Sequence, residues 1–281
     1  MRRTLRGRSS THIFGTSAAD VCVPELLEVE AYRRAADAVV GRRIAAVRAP
    51  DEWYLKGGEG SLEVAAALVG VRVLATRRVG KLLLLDTDGP VLGLRFGMTG
   101  RLVVDGEAPI DRLEYSSGRD LPEWHRFGLD FDHEGSLVMT DPRRLGGVEL
   151  DPDESRLGVD AAVLDAATLA DVLASSTRPV KARLMDQEQV AGLGNLLVDE
   201  ILWRAGVDPA RRSCDLDAVA VARTSAVTAE VLSELGQRGG SHTGDLGPHR
   251  QPGGMCPRDG EALVRRTIGG RTTWSCSRHQ L

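Results

Sequence analysis

The last 26 residues of the chain contain two short motifs at the spacing of a metal site. Cys256-Pro-Arg-Asp259 is followed, after 16 residues, by Cys276-Ser-Arg-His279. Each motif has two candidate ligands with two residues between them, so both ligands of a motif can bind the same ion from a single turn. The spacing predicts a zinc finger with Cys256, Asp259, Cys276 and His279 as its ligands. A metal-free hairpin held by packing is the alternative.

The carboxylate of Asp259 distinguishes this set from a finger built on sulfur. Zinc accepts carboxylate oxygen, but structural zinc sites are built mainly from cysteine thiolates and histidine nitrogens. We therefore expect this site to bind zinc more weakly and less selectively than a site with three or four cysteines.

Between the two motifs the sequence predicts a β-hairpin. Apolar and β-branched residues flank Gly269-Gly270, a pair typical of a tight turn. Arg271 follows the turn directly, and residues 250–281 hold six arginines against two acids. Because basic hairpins commonly contact phosphate, this segment is expected to meet a nucleic acid.

Composition limits the remaining classes. The 281 residues are 42% hydrophobic, which is ordinary for a globular protein of about two domains, and no apolar run approaches the length of a membrane span. The four cysteines, two of them at metal spacing, argue against a disulfide framework and favour a reducing, cytoplasmic location. The net charge of -4 does not by itself indicate a nucleic-acid partner, but one basic face is sufficient to bind phosphate.

The pattern of the chain predicts an α+β multidomain protein. Residues 24–37 read as an amphipathic helix, short β-rich runs to about residue 140 indicate an antiparallel sandwich or barrel, and helices follow Asp151-Pro152. Residues 236–254, rich in glycine, proline and histidine, are expected to form a mobile loop. Residues 1–22 are predicted to be a disordered or wrongly assigned leader, and residues 23–150 a helix with a β-sandwich. Residues 151–240 are predicted to form a helical domain, and residues 241–281 a linker with the finger.

Six motifs give the chain a family resemblance in both order and spacing. From Pro24 to His279 it resembles the bacterial formamidopyrimidine-DNA glycosylase and endonuclease VIII family, which excises oxidised bases and then nicks the strand. The motifs are Pro24-Glu25-Leu26-x-Glu28-Val29-Glu30, Arg77-Arg78-Val79-Gly80-Lys81, Gly97-Met98-Thr99-Gly100, Asp141-Pro142-Arg143-Arg144, Gly192-Leu193-Gly194-Asn195, and the finger with Gly270-Arg271-Thr272. The resemblance implies a β-sandwich, a helix-two-turn-helix domain and a zinc finger.

The same resemblance implies roles for four residues. Pro24 would attack C1′ of the damaged nucleotide and form a Schiff base, and Glu25 would protonate the opening sugar. Lys81 would assist elimination, while Arg271 would hold a phosphate and serve the second elimination. A terminal amine with a pKa near ~8 keeps a reactive neutral fraction at physiological pH.

Pro24 can act in this way only as a free amine. Within the chain as written, its nitrogen belongs to a peptide bond and its lone pair is delocalised. The proline of the family becomes N-terminal when the initiator methionine is removed, and Val23 stands in that place. Because valine codons can serve as bacterial starts, we expect translation to begin at position 23, so that residues 1–22 are not made. An organelle transit peptide is the alternative for this arginine- and serine-rich segment.

The resemblance also implies residues that handle the DNA. Met98 would fill the gap left by an extruded nucleotide, and Arg143 would pair with the orphaned base. Leu145 stands where the family commonly has phenylalanine, and core packing is its alternative role. Asn195 and the backbone amides around it would bind phosphate at a helix start. Two further residues would act near the site, Lys181 as a phosphate contact or its support and Glu200 as an organiser.

Two functions from other classes compete with a bifunctional glycosylase and apurinic/apyrimidinic lyase. A paralogue could bind damaged DNA without catalysis, keeping the wedge, the two-turn unit and the finger but having lost its chemistry through the changed N-terminus. Arg95 in place of the usual histidine of the family and the variant finger mark the chain as divergent. An interaction module with an unrelated partner would explain the finger but not Pro24, Lys81 or Asn195. The favoured reading is a monomeric enzyme that acts on double-stranded DNA containing oxidised bases or abasic sites by β,δ-elimination.

Overall fold

A computed structural model describes residues 24–110 and 121–281. Helix α1 (Leu26–Ala36) opens with a capping box, in which the Glu28 carboxylate accepts the Glu25 N–H at 2.9 Å. Its buried face includes Val29 and Tyr32, at the helical spacing expected from the sequence. The helix therefore begins at the predicted proline–glutamate motif. The expected leader, residues 1–22, lies outside the described residues.

The β-sandwich predicted after α1 is confirmed as two four-stranded antiparallel sheets. One has the order β1-β6-β7-β5 and the other β2-β3-β4-β8, and their facing side chains share one apolar core. The strands are β1 (Ile44–Arg48), β2 (Val73–Val79), β3 (Leu82–Thr87), β4 (Leu92–Arg95), β5 (Arg101–Val104), β6 (His125–Phe131), β7 (Ser136–Thr140) and β8 (Gly147–Leu150).

Two elements of the sandwich were not predicted. Helix α2 (Ser61–Leu68) covers the core with Val64 and Leu68, and strand β8 completes the second sheet. Helix α2 has eight residues and strand β8 has four. In segments this short, the apolar periodicity cannot be distinguished from the pattern of a loop.

The second part of the described chain is helical, as predicted. Helix α5 is buried along nearly its whole length, which makes it the centre of this domain. It ends at Gly206 in the left-handed conformation. The elements are a parallel pair β9 (Val159–Asp160) and β10 (Val190–Ala191), with α3 (Ala166–Ala174), α4 (Val180–Leu184), α5 (Asn195–Ala205) and α6 (Ala218–Arg238).

The predicted C-terminal hairpin is present as β11 (Leu263–Ile268) and β12 (Arg271–Cys276). Gly269 and Gly270 both have positive φ, 58° and 73°, which is the geometry of a tight hairpin turn. This turn places Arg271 at the closed end of the hairpin.

The loop after α6, which the sequence predicts to be a mobile loop or linker, makes specific contacts with two helices. Ser241 donates from its N–H and its hydroxyl to the Glu28 carboxylate at 2.7 and 2.8 Å. The N–H groups of Asp245 and Leu246 donate to the Glu200 carboxylate at 3.1 and 2.9 Å. Two buried carboxylates on α1 and α5 therefore fix the loop, and their distance in the sequence hid these contacts.

An ion pair joins the sandwich to the helical domain. Arg78, whose side chain is 9% exposed, donates to Asp160 at 2.7 Å and also pairs with Glu30 of α1. The same Asp160 carboxylate accepts the Gly80 N–H at 2.7 Å. The turn after β2 is thereby held against the start of the helical domain. None of the described helices is long and apolar enough to cross a membrane.

We expect Asp160→Ala to lower the free energy of unfolding by about 3 kcal/mol, because it leaves the largely buried Arg78 without its closest acid. Urea denaturation followed by tryptophan fluorescence measures the loss. The matched control is Asp130→Ala, which breaks an exposed pair with Arg48 and should cost less than about 1 kcal/mol. Equal losses in the two variants would contradict a clamp between domains.

Candidate active site and metal cluster

The starts of α1 and α5 meet the turn between β2 and β3. Leu26 donates its N–H to the Gly192 carbonyl oxygen at 3.0 Å. A Cβ on Gly80 would lie 2.9 Å from the Gly192 nitrogen, so the turn can approach only because Gly80 lacks a side chain and accepts a φ of 57°. This junction gathers Glu25 and Lys81, which are far apart in the sequence.

The Glu25 carboxylate is seated on the N-terminal N–H groups of α5. It accepts from Gly194 and Leu196 at 2.8 Å each and from Leu197 at 3.2 Å, and the residue is only 1% exposed. A helix N-terminus favours a negative group at this position. The residue next to Pro24 is therefore fixed by the helical domain, and Pro24 itself is buried beside it.

This seat changes the expected role of the turn at Gly192–Asn195. The sequence predicts that backbone amides bind phosphate here, but the amides of Gly194, Leu196 and Leu197 already serve Glu25. Asn195 keeps its side chain for another partner, since its buried Oδ1 has no hydrogen-bond partner among the described residues. The backbone amides of this helix start are therefore not available for the phosphate contact that the sequence predicts.

Burial shifts the pKa of both ionisable groups at the junction. Burial raises the pKa of Glu25, although the charge of Lys81 and the amide hydrogen bonds oppose the shift. Burial also lowers the pKa of Lys81, with the charge of Arg271 acting in the same direction and those of Glu25 and Glu28 against it. A carboxyl group with a raised pKa beside an amine with a lowered pKa is a pair suited to proton transfer.

Arg271 is exposed at the hairpin tip, whereas Lys181 is buried beneath it. The Lys181 side chain is 0% exposed, and its Nζ lies 2.7 Å from Asp199 Oδ1 and 3.1 Å from the Thr272 carbonyl oxygen. In this position its ammonium does not face a solvent-side phosphate. It instead holds the strand residue that follows Arg271.

Asp199 is the centre of this buried contact and was not singled out by the sequence. Besides Lys181, its carboxylate contacts Arg250 at 3.0 Å and the Trp274 N–H at 3.5 Å. Helix α5, the loop after α6 and strand β12 are therefore joined through one carboxylate. No short motif contains these residues together, so only the fold reveals them.

The candidate wedge residues lie on two loops that touch. A Cβ on Gly97 would lie 2.4 Å from the Leu145 carbonyl carbon, which brings the turn carrying Met98 against the loop carrying Arg143. Met98 is half-buried and Arg143 is exposed. Leu145 is 48% exposed, so core packing does not explain it.

Asp141 holds these two loops in place. Its fully buried carboxylate accepts the Thr99 hydroxyl at 2.6 Å and the N–H groups of Leu145 and Gly146 at 2.9 and 2.8 Å. The Asp-Pro-Arg-Arg motif contained this residue, but its sequence signal pointed to the arginines. Arg95, in the place of the usual histidine of the family, pairs with Glu149 at 3.5 Å.

Glu200 lies on the same helix as Asp199 but faces the loop after α6. It is 2% exposed and accepts the Arg204 Nε–H at 2.7 Å in addition to the two loop N–H groups. Arg204 also forms ion pairs with Glu234 of α6 and with Asp245, the latter at 2.9 Å. Glu200 is therefore a buried support for the loop rather than a surface acid.

The four candidate metal ligands converge at the open end of the hairpin. Their ligand atoms lie within 4.8 Å of one another. Cys256 Sγ is 3.8 Å from His279 Nδ1, and Cys276 Sγ is 3.3 Å from Asp259 Oδ2. These two separations fit the edges of a tetrahedron around one ion with ligand distances of about 2.0–2.3 Å, whereas His279 Nδ1 lies 2.6 Å from Asp259 Oδ2, which is a hydrogen-bonding distance. The cluster can hold a metal ion.

Trp203 of α5 orients two of these ligands. Its indole N–H donates to Cys256 Sγ at 3.3 Å, and its carbonyl oxygen lies 3.2 Å from His279 Nε2. When Nε2 carries the proton and donates to this carbonyl, Nδ1 carries none and faces the cluster, where it lies 2.6 Å from Asp259 Oδ2. The finger is thus attached to the C-terminal end of the helix that binds Glu25.

Comparisons with known proteins agree with this geometry. The family model for the formamidopyrimidine-DNA glycosylase N-terminal domain matches residues 23–148, and that for the formamidopyrimidine-DNA glycosylase H2TH domain matches residues 157–245. The formamidopyrimidine-DNA glycosylase of Paracoccus denitrificans is 34% identical over 284 residues, covering 90% of this chain and 98% of the relative. That of Stenotrophomonas maltophilia is 33% identical over 287 residues, covering 92% and 100%.

Solved structures have a similar overall fold. A Lactococcus lactis Fpg mutant in complex with Fapy-dG containing DNA has a TM-score of 0.77 and 25% identity, covering 92% of this chain and 99% of that one. A complex between the LlFpg protein, a THF-DNA and an inhibitor has the same score and identity, covering 92% and 100%. With two family models over most of its length and relatives above 30% identity, this chain belongs to the formamidopyrimidine-DNA glycosylase family.

Proposed function

We propose that this protein excises oxidised bases from double-stranded DNA and then nicks the strand as an apurinic/apyrimidinic lyase, with Pro24 as its nucleophile. Family membership supports the class of reaction. The observation that carries the assignment to residues is the seat of Glu25, which fixes a protonatable carboxyl group beside Pro24 and within the electric field of Lys81.

In the proposed reaction, the free amine of Pro24 forms a bond to C1′ as the bond from C1′ to the base breaks, and the base leaves with the bonding electrons and the proton that the amine gives up. Glu25 gives its proton to the ring oxygen as the sugar opens, which leaves an iminium between Pro24 and C1′. Lys81, whose lowered pKa increases its neutral fraction, accepts a proton from C2′ as the phosphate on C3′ leaves in the first elimination. Arg271 holds the phosphate that leaves in the second elimination.

The wedge loops would keep the DNA open during this reaction. Met98 and Leu145 would fill the gap in the stack, and Arg143 would pair with the base left alone. Asn195 and Arg271 would contact phosphates of the lesion strand with side chains. Lys181 and Glu200 would act indirectly, by holding the strand and the loop that border the site.

We further propose that the metal of the finger is one structural zinc ion held by Cys256, Asp259, Cys276 and His279. The cluster supplies two sulfurs, one oxygen and one nitrogen, a set that zinc accepts in tetrahedral geometry. Asp259 is oriented for this task, because its Oδ1 accepts the Glu261 N–H at 3.0 Å.

A protein that begins at Pro24 should form a covalent adduct with an abasic-site oligonucleotide when borohydride is added, because its terminal amine can form an iminium. A protein that begins at Val23 should form much less, because its proline nitrogen is an amide and its free amine is displaced from the site by one residue. Denaturing gel electrophoresis separates the adduct. Binding without an adduct in the Pro24 form would favour the alternative of an inactive paralogue that binds damaged DNA.

The pH dependence of excision should report Glu25 as the acid. Its pKa is raised, so the rate should fall only as pH rises above the ordinary range of a glutamate, near ~4.3. Lys81→Met removes a positive charge that lowers this pKa, and the residual rate should therefore fall at a higher pH than in the parent. Single-turnover excision by the parent and by the variant across pH gives the midpoint of the fall in rate for each protein. An unchanged or lower midpoint would exclude the coupled pair.

Asp259→Ala should weaken zinc binding by at least about a hundredfold, because loss of even an outer partner of a ligand typically costs roughly 10- to 100-fold. Competition with a chromophoric chelator measures the affinity, and the absorption spectrum of the cobalt form reports the ligand set. The control is Glu261→Ala, an exposed side chain in the same turn. Equal affinity in all three proteins would remove Asp259 from the ligand set.

A further inference from the structure

Trp53 is an exposed aromatic side chain that the proposed reaction does not use. It is 69% exposed, whereas Trp203 and Trp274 are buried at 7% and 5%. A tryptophan loses much apolar burial at such a position, and exposed aromatic residues commonly mark surfaces that bind a partner. Trp53 lies in the short helical turn between β1 and α2.

Lys56 holds the ring in a defined place. Its Nζ donates to the Trp53 carbonyl oxygen at 2.7 Å and lies 5.1 Å from the centre of the indole ring. This cation–π contact restrains the side chain while most of its surface stays open to solvent. The pair presents a flat ring beside a positive charge, which is the combination that binds an unstacked base and its phosphate.

The segment around Trp53 is joined directly to the wedge loop that carries Arg143 and Leu145. Arg144 forms two hydrogen bonds to the Asp51 carboxylate, at 2.7 and 2.6 Å. On the other side of Trp53, the Lys56 N–H donates to the Val148 carbonyl oxygen at 2.8 Å. Trp53 and the wedge loop therefore belong to one surface.

The side chains of Tyr54 and Lys56 pack directly against the backbone of Gly146 and Gly147, which follow the wedge loop. The Tyr54 hydroxyl lies 2.4 Å from where a Cβ on Gly146 would be, and the Lys56 side chain lies 2.5 Å from the same position on Gly147. Only glycines at 146 and 147 permit this approach. Movement of the wedge loop would thus carry the Trp53 segment with it.

The charge of this surface suits a polyanion. Lys56, Arg143 and Arg144 are exposed on it. The nearest acid, Asp51, is 10% exposed and is neutralised by Arg144 and by Arg126 at 3.6 Å. Glu52 and Glu59 remain as acids of the segment, so the positive charge is concentrated on the side of the wedge loop.

We propose that Trp53 stacks on a base of the strand opposite the extruded nucleotide, and so supplies the aromatic contact that Leu145 cannot make. The inference rests on the proposed function, which places the wedge loop in opened duplex DNA. Leu145 fills a gap but offers no aromatic face, while Trp53, on the same surface, offers one. Trp53 is then a specificity-determining residue for the undamaged strand.

The test uses the 281-residue protein and a duplex with a tetrahydrofuran abasic analogue opposite 2-aminopurine, whose fluorescence reports stacking. Trp53→Ala should weaken binding about tenfold, the scale of one base stacked on an aromatic ring. It should also change the 2-aminopurine signal of the complex, whereas Trp53→Phe should keep both close to those of the parent. Leu62→Ala, at an 86% exposed position on α2, is the control.

A second variant separates a stacking role from a fold defect. Leu145→Phe adds an aromatic ring to the wedge loop, and in the Trp53→Ala background it should recover part of the lost affinity. Binding and fluorescence of Trp53→Ala equal to those of Leu62→Ala would overturn the inference. Borohydride trapping is scored separately in protein beginning at Pro24, so failure of the lyase function leaves a distinct result.

Discussion

The seat of the Glu25 carboxylate on the N-terminal N–H groups of α5 is the interaction on which the site depends. It joins the first residues of the described chain to a helix that begins about 170 residues later. Without this helix the carboxylate would have no defined position next to Pro24. The same contact leaves the amides of this helix start unavailable to phosphate, and it partly offsets the rise in the pKa of Glu25 that burial causes.

Helix α5 extends this constraint across the molecule. After Glu25 at its N-terminus, it contacts the hairpin through Asp199, the loop after α6 through Glu200, and the metal cluster through Trp203. Each contact is made by a buried polar group with a specific partner, so the helix cannot shift by one turn without breaking all of them. The three parts of the site therefore share one rigid support.

Much of this fold could be predicted because its signals are local. The Gly269-Gly270 turn, the strand alternation and the metal-ligand spacing each depend on neighbours within a few residues. The loop anchored by Glu28 and Glu200 could not be predicted, because its partners lie 213 and 45 residues away. The buried place of Lys181 was hidden for the same reason, since a lysine in a short motif looks the same whether it faces phosphate or a buried aspartate.

The position of Arg271 does not depend on the metal cluster alone. Six residue pairs of the hairpin run from Arg271 at its closed end to Cys276 at its open end, a span of about 17 Å. The closed end has its own supports. Lys181 holds the Thr272 carbonyl, and a Cβ on Gly269 would lie 2.9 Å from that of Ala182. Because these contacts do not involve the four cluster residues, α4 and Asp199 help to set the position of the arginine-bearing end of the hairpin.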